Sequence, residues 1–168
     1  MLDPRTRIPW LLVFGSAVLL ESLALYFQYG MGLDPCVLCV YQRGAVLGIA
    51  IGGLVGAIYP RRLVLRLAGY VMIAASAALG LRFALQHVAV IDGSSFECGF
   101  LPDFPSWLPL HEWLPALFQP TGMCGEIDWT LFGLAMPEVM IGIFAAYLAA
   151  IGYGLIAEVV NRRRRGVN

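Results

Sequence analysis

The chain has 168 residues, of which 60% are hydrophobic and only 13% are charged, with a mean hydropathy of +0.77 and a formal net charge of zero. Soluble domains have about a quarter of their residues charged, so this composition excludes an ordinary soluble protein. It indicates an integral membrane protein, in which the zero net charge conceals a two-sided distribution of charges.

Four apolar stretches are long enough to cross a membrane, whose hydrocarbon core of roughly 30 Å requires about 20 helical residues. Because no water satisfies exposed backbone groups there, such stretches are helices. The first follows Arg5 and Arg7 as a signal peptide would, but its apolar run is too long and no cleavage site follows. We therefore predict one all-α membrane domain over residues 1–168, a bundle of four transmembrane helices at approximately 10–29, 40–59, 67–89 and 137–160.

A pair of cysteines lies in the first of two outer loops, which we expect at approximately 30–39 and 90–136. In Cys36-Val37-Leu38-Cys39 two thiols lie three residues apart at a helix start, where they can close on each other and where the helix N-terminus favours the thiolate. Four cysteines allow three pairings. Proximity favours Cys36 with Cys39, which leaves Cys98 with Cys124. A four-thiolate zinc site is the alternative, but Cys98 and Cys124 lack the close spacing of zinc motifs.

Helix 2 carries glycine at every fourth position, which predicts close packing against another helix. The second outer loop is long, and closely spaced prolines in residues 104–115 prevent a long helix. Its tryptophans and leucines favour short turns in the headgroup region. The alternative is a loop folded on its own aromatic side chains.

Two arginines lie inside the predicted spans, where a charge costs roughly 2.5 to 3.5 kcal/mol near the bilayer centre. Arg43 follows Cys39 by one turn, and Arg82 lies in the outer part of helix 3. Each could donate to a carbonyl-bearing ligand near the dithiol or extend to the headgroups, and the position of Arg43 favours the ligand.

Other polar residues lie near the same depth. Gln28 and Gln42 are further donors, and His87 at the outer end of helix 3 is either an interfacial side chain or a proton donor. Glu21 lies near the middle of helix 1, where we expect a protonated, hydrogen-bonded carboxyl.

Orientation follows from the arginines, because basic residues near span ends stay on the cytoplasmic side. They precede helix 1, separate helices 2 and 3, and follow helix 4, whereas the two opposite loops contain acidic residues and neither lysine nor arginine. We therefore predict that both termini are cytoplasmic and that all four cysteines lie outside, where disulfides persist. The residues that support this orientation are Arg5, Arg7, Arg61, Arg62, Arg66 and Arg162 to Arg165, against Asp34, Asp92, Glu97, Asp103, Glu112, Glu126 and Asp128.

These motifs resemble the disulfide bond formation protein B (DsbB) family, inner-membrane oxidases of the bacterial periplasm. The resemblance covers nearly the whole chain, and its most specific part is the Cys-Val-Leu-Cys run with an arginine four residues later. The segments that carry it are Leu20-Glu21, Leu25-Tyr26-Phe27-Gln28, Pro35 to Arg43, Trp107-Leu108-Pro109-Leu110 and Gly133 to Pro137.

The resemblance implies a thiol:quinone oxidoreductase with a defined electron path. A DsbA-like periplasmic thiol oxidase is re-oxidised by Cys98 and Cys124, which are re-oxidised by Cys36 and Cys39, and the electrons pass to ubiquinone or menaquinone. Cys98 is the sulfur attacked by the partner, Cys124 exchanges with Cys36, and Cys39 then attacks the quinone.

The resemblance also assigns Arg43 to the quinone site, with Gln28 and His87 nearby. The expected partners are thus the thiol oxidase, membrane lipid and quinone, with no nucleic acid. The expected location is the bacterial inner membrane. A different interpretation is a membrane scaffold or transporter subunit whose disulfides only brace its outer loops, since structural disulfides resist reduction whereas catalytic ones are labile.

Overall fold

The computed structural model describes residues 3–95, 98–99, 101–106, 108–125, 129–131 and 133–166, with side chains as far as residue 160. Trp107, Glu97, Glu126 and Asp128, and the side chains of Arg162 to Arg165, lie outside the described part, so those predictions stay untested. Four long helices dominate: α1 (Ile8–Leu25), α2 (Val37–Ile58), α3 (Leu63–Ile91) and α6 (Met136–Gly166). The predicted all-α bundle is confirmed, because all four are long and apolar enough to cross a membrane.

Helix ends differ from the predicted bounds by a few residues. Helix α1 continues into one π-helical turn, Tyr26–Gly30. Helix α2 begins earlier than predicted, because Cys36 has an extended backbone and its sulfur accepts a hydrogen bond from the Cys39 amide at 3.3 Å. Helix α6 runs past residue 160 into the terminal arginines.

Helix α2 lies at the centre of the bundle, packed against α1 and α3, while α6 packs against α3. The glycines at every fourth position of α2 allow this packing, and their predicted role is confirmed. They are Gly44, Gly48, Gly52 and Gly56. A Cβ atom at Gly52 would meet Ile73 of α3, and one at Gly56 would overlap the ring of Trp10 of α1. The small residues therefore let α2 approach both neighbours closely.

The long loop contains two short helices, α4 (Leu110–Trp113) and α5 (Pro115–Phe118), and a two-stranded hairpin of β1 (Thr130–Leu131) and β2 (Leu134–Ala135). The predicted short turns are therefore present. Phe104, which precedes them, contacts Tyr41 of α2, His111 and Phe118 at ring-centroid distances of 5.5, 5.9 and 6.1 Å. Trp113 of α4 is exposed. The loop thus folds partly on its own aromatic side chains, and the location of its exposed tryptophan in the headgroup region stays a prediction.

Hydrogen bonds also join the long loop to the first one. The Tyr29 hydroxyl donates to the carbonyl of Ala116 at 2.7 Å, and the Thr121 hydroxyl donates to the Asp34 carboxylate at 2.7 Å. The Thr121 amide donates to the Pro35 carbonyl at 2.9 Å. The long loop is therefore held directly over the start of α2.

An ion pair stabilises the opposite end of the bundle. Arg66 of α3 donates to Glu158 of α6 at 2.6 Å, and Arg5 lies 4.0 Å from the same carboxylate. Both Arg66 and Glu158 are buried, and the Arg66 guanidinium also donates to the carbonyls of Pro60 and Arg61. Residues from three arginine-bearing segments thus meet at one end, away from the cysteines.

Candidate redox site at the cysteine end of the bundle

The site is built around Cys36 and Cys39, at the end of the bundle where α2 begins and α3 ends; we call this the cysteine end. Both are free thiols, with their sulfur atoms 3.0 Å apart. The N-cap geometry of Cys36 positions its sulfur over the first turn of α2, where the backbone amides converge. The predicted pairing of Cys36 with Cys39 is therefore not formed in this structure, although their sulfur atoms are close enough for a disulfide to close after a small movement.

This geometry makes the Cys36 thiol more acidic than an ordinary cysteine thiol. The hydrogen bond from the Cys39 side chain lowers the pKa of Cys36, burial opposes that shift, and backbone amides of the first turn reinforce it. The lowered pKa favours a thiolate at Cys36, which is the form that performs disulfide exchange.

His87 of α3 lies beside both sulfurs. It is buried, with Nε2 3.6 Å from the Cys36 sulfur and Nδ1 4.0 Å from the Cys39 sulfur. Gln42, one turn from Cys39 on α2, approaches the same Nδ1 atom at 3.5 Å. The interfacial alternative for His87 is therefore wrong, because the ring is enclosed and next to the thiols, where it can accept or return a proton.

Arg43 is buried and joins three elements. Its guanidinium donates to the Gln28 side-chain oxygen at 2.6 Å, to the Leu117 carbonyl at 3.1 Å and to the Ala24 carbonyl at 3.1 Å. The alternative in which Arg43 extends to the headgroups is thus wrong. These three bonds use three of the five guanidinium donors, so donors remain for a ligand.

A cavity of about 310 Å³ connects these residues. Its walls are mainly apolar, contributed by all four long helices and the two loops, and both Cys36 and Cys39 line it. A few polar side chains interrupt the apolar lining: Glu21, Gln28, Asp34, Gln42, Arg43 and His87. A mainly apolar cavity with a few converging polar groups is the usual form of a small-molecule site.

Glu21 differs from expectation. Both of its carboxylate oxygens are buried, yet neither has a hydrogen-bond partner among the described residues. The expected hydrogen-bonded carboxyl is therefore wrong, because the side chain borders the cavity and the nearby polar side chain, Gln28, is bonded to Arg43. Gln28 follows seven residues later, in the π-helical turn that continues α1, and both side chains line the cavity.

The second cysteine pair packs on the first. A disulfide joins Cys98 to Cys124, as the pairing argument predicted, and a four-thiolate zinc site does not fit that bond. Cys124 is buried in one cluster with Cys36 and Leu38, against which Cys98 and Cys39 pack. The two pairs are thus adjacent, and only the first lines the cavity.

The remaining predicted residues divide clearly. Gln28, Arg43 and His87 meet at the cavity with Cys36 and Cys39. Arg82 does not, because it is exposed on the outer face of α3. Sequence reasoning missed the contribution of α6, whose first turns supply Met136, Val139 and Met140 to the cavity wall. Apolar positions in an apolar helix carry no signal that separates a cavity wall from a lipid-facing surface.

Known proteins similar to this chain agree with one another. The family described as disulfide bond formation protein DsbB matches residues 6–154. A disulfide bond formation protein B of Shewanella sp. (strain ANA-3) is 47% identical over 149 residues, covering 88% of this chain and 85% of its own length. The protein of that name from Pseudoalteromonas translucida is 44% identical and covers 95% of both chains, and that from Haemophilus influenzae is 42% identical over 95% of this chain and 91% of its own.

Proposed function

Because the chain belongs to the disulfide bond formation protein DsbB family and acts as an oxidoreductase in disulfide formation, we propose that it re-oxidises a DsbA-like periplasmic thiol oxidase and passes the electrons to ubiquinone or menaquinone. The observation that carries the proposal is the contact between the two cysteine pairs, with only the first pair open to the cavity. A scaffold with structural disulfides needs neither free thiols nor a cavity beside them.

The thiol half of the reaction is an exchange of disulfides. A thiolate of the partner attacks Cys98, and the Cys98–Cys124 bond breaks to release the Cys124 thiolate. A second partner thiol then resolves the mixed disulfide, which leaves the partner oxidised and Cys98 and Cys124 reduced. Cys124 next attacks Cys36 of a Cys36–Cys39 disulfide, and Cys39 is released as a thiolate. Cys98 then attacks the Cys124 sulfur, which re-forms the Cys98–Cys124 disulfide and releases the Cys36 thiolate. Each step forms one S–S bond and breaks another.

The cavity fits a quinone by the chemistry of its donors. Its apolar walls suit a polyprenyl chain, and the unused Arg43 donors suit a ring carbonyl oxygen. When bound, a quinone supplies an acceptor for two electrons and two protons. The overall balance is therefore partner dithiol plus quinone to partner disulfide plus quinol.

The residues around Cys39 support the last transfer. His87 lies 4.0 Å from the Cys39 sulfur and can take its proton. Arg43 orients the acceptor, while Gln28 fixes the guanidinium through the 2.6 Å bond. Closing the Cys36–Cys39 disulfide then restores the pair for another exchange.

The test is quinone-dependent oxidation of a reduced DsbA-like protein by the purified full-length chain, followed by quinone absorbance. We expect Cys39→Ser to abolish quinone reduction while still permitting the first exchange. A partner whose second cysteine is replaced by serine cannot resolve the mixed disulfide, so it should stay bonded to Cys98. Cys124→Ser leaves no Cys98–Cys124 disulfide for the partner to attack, so it should abolish oxidation of the partner. Quinone reduction at the wild-type rate by Cys39→Ser would contradict the proposal.

The chain is a multi-pass membrane protein, and we propose that it lies in the bacterial inner membrane with both termini cytoplasmic. The arginine distribution supports this orientation. Arg5 and Arg66 meet at Glu158, at the end of the bundle opposite the cysteines, so the length of the bundle separates the basic end from the thiol end.

A further inference from the structure

Three soft-metal donors meet at the cysteine end. The Cys36 and Cys39 sulfurs and a ring nitrogen of His87 all lie within 4.8 Å of one another. Thiolate and imidazole are the ligands that Zn²⁺ and similar cations prefer. Cys39 and His87 lie on the packed helices α2 and α3, and Cys36 is the N-cap residue of α2, so the bundle sets the positions of all three donors.

The distances are close to those of a tetrahedral centre. With Zn–S near 2.3 Å and Zn–N near 2.0 to 2.1 Å, tetrahedral angles require about 3.8 Å between two sulfurs and about 3.6 Å between sulfur and nitrogen. The Cys36 sulfur lies 3.6 Å from His87 Nε2, which already fits, and the two sulfurs lie 3.0 Å apart. The two sulfurs must separate by about 0.8 Å, and the Cys39 sulfur already lies within 4.8 Å of the His87 ring nitrogen.

Charge favours occupancy of this buried position. Two thiolates neutralise a divalent cation, and a neutral centre avoids the large cost of burying an uncompensated charge. Both Cys36 and His87 are buried. Arg43 does not oppose the cation directly, because its guanidinium is directed to Gln28 and to backbone carbonyls.

Gln42 supplies the outer contact that orients a metal-bound histidine. Its side-chain amide lies 3.5 Å from His87 Nδ1. If this amide group is flipped, its oxygen accepts a hydrogen bond from a protonated His87 Nδ1. The unprotonated Nε2 atom then faces the Cys36 sulfur. Metal-bound histidines usually donate their second N–H in this way. The cavity beside Cys39 and His87 leaves room for a water as fourth ligand.

We propose that reduced Cys36, Cys39 and His87 form a site for a thiophilic divalent cation, Zn²⁺ or Cd²⁺, which holds the dithiol reduced and blocks its re-oxidation. Binding breaks two S–H bonds, forms two metal–sulfur bonds and releases two protons to solvent, with no change of oxidation state. The Cys36–Cys39 disulfide has no thiolates to offer, so the site exists only in the reduced protein. The site itself follows from the three donors; only the block of re-oxidation depends on the proposed function.

The experiment uses the full-length chain with Cys98→Ser and Cys124→Ser, so that the first pair supplies the only thiols. The protein is reduced under anaerobic conditions, freed of reductant and titrated with Cd²⁺, with the thiolate-to-metal ultraviolet band as readout. We expect one Cd²⁺ per chain, and a loss of the band when the same protein is oxidised with diamide. The oxidised sample tests the site without any change that affects folding.

Histidine variants test the third donor, because the chain has only two histidines. His87→Ala should weaken Cd²⁺ binding roughly tenfold or more, whereas His111→Ala, in the long loop, should leave it unchanged. Co²⁺ bound to the parent protein should give the intense visible bands of a tetrahedral centre. Equal affinity for His87→Ala and its parent, or equal binding by the oxidised protein, would overturn the site.

The block of re-oxidation by the bound cation is measured in a separate experiment. Zn²⁺ should slow quinone-dependent re-oxidation of the reduced chain, and a chelator should restore it. Cd²⁺ binding without any quinone activity would reject the proposed function and leave the cation site standing. Quinone activity in a chain that binds no Cd²⁺ would reject the cation site alone.

Discussion

Arg43 has two roles that can be measured separately, since it holds α1 and α5 and also has donors free for a ligand. Losing one hydrogen bond from a charged group costs roughly 1.5 to 3 kcal/mol, or about ten- to a hundredfold in binding. We expect Arg43→Ala to raise the KM for quinone by that factor and to leave the thiol exchange with the protein partner nearly unchanged.

Arg82→Ala is the matched control for this prediction, because Arg82 is exposed on α3 and does not line the cavity. It should leave the quinone KM unchanged. Steady-state rates at varied quinone concentration measure the quinone KM. The rate of thiol exchange is measured separately, by quenching the reaction with the partner at set times and quantifying the mixed disulfide. An unchanged quinone KM for Arg43→Ala would show that the arginine serves the fold alone.

The ionisation of Cys36 should also depend on pH in a characteristic way. The hydrogen bond from Cys39 lowers the pKa of the Cys36 thiol below its ordinary value. Its thiolate fraction therefore exceeds that of a free cysteine around and below pH about 8.5. The excess disappears only well above that pH, where both thiols are fully ionised. Thiolate ultraviolet absorbance against pH, in the reduced chain with Cys98→Ser and Cys124→Ser, should show an early ionisation step.

The Cys39→Ala change in the same background removes the donor. The pKa of Cys36 should then move upward, toward the ordinary thiol value, because burial still opposes the charged form. An ionisation midpoint that is the same with and without Cys39 would contradict the hydrogen bond as the main cause.

At the scale of elements, the glycines of α2 decide how closely the bundle packs. A Cβ atom at Gly56 would overlap the Trp10 ring, whereas one at Gly142 of α6 would meet nothing within 4 Å. Overpacking a filled interior costs typically 1 to 3 kcal/mol, and alanine is about 0.5 to 1 kcal/mol better than glycine inside a helix. We expect Gly56→Ala to lower the free energy of unfolding by about 1 to 3 kcal/mol.

Gly142→Ala should leave the free energy of unfolding unchanged or raise it slightly, since it gains helix propensity without a clash. Unfolding of both variants in mixed micelles, followed by circular dichroism, provides the comparison. Equal stabilities would mean that Trp10 moves aside and that the α1–α2 contact is looser than its geometry implies.

Properties of single helices could be predicted from the sequence, whereas contacts between helices could not. Hydropathy and length are properties of single helices, so all four spans could be predicted, and the spacing of Cys36, Cys39 and Arg43 on one helix face is local as well. Contacts made by the folded chain could not be predicted: the approach of His87 to both sulfurs and the bond between Arg43 and Leu117 depend on how α2, α3 and α5 pack. Glu21 illustrates the same limit, because its carboxylate borders the cavity and has no hydrogen-bond partner among the described residues.

At the scale of the whole molecule, the bundle separates a thiol end from a basic end. Ser94 follows α3 at the cysteine end, and Arg61 lies in the turn between α2 and α3 at the other, and both side chains are exposed. If the arginines stay in the cytoplasm, the two positions face different compartments. Single cysteines at these sites, in a chain whose native cysteines are serine, report the orientation.

We expect Ser94→Cys to react with a membrane-impermeant maleimide in intact bacteria, and Arg61→Cys to react only after the inner membrane is permeabilised. Removing one arginine from the basic end leaves Arg5, Arg7, Arg62, Arg66 and Arg162 to Arg165 in place, so the bias that sets orientation persists. Labelling of Arg61→Cys from outside, with Ser94→Cys protected until permeabilisation, would reverse the orientation. It would also place the dithiol in a reducing compartment, where a disulfide relay to a periplasmic partner is impossible.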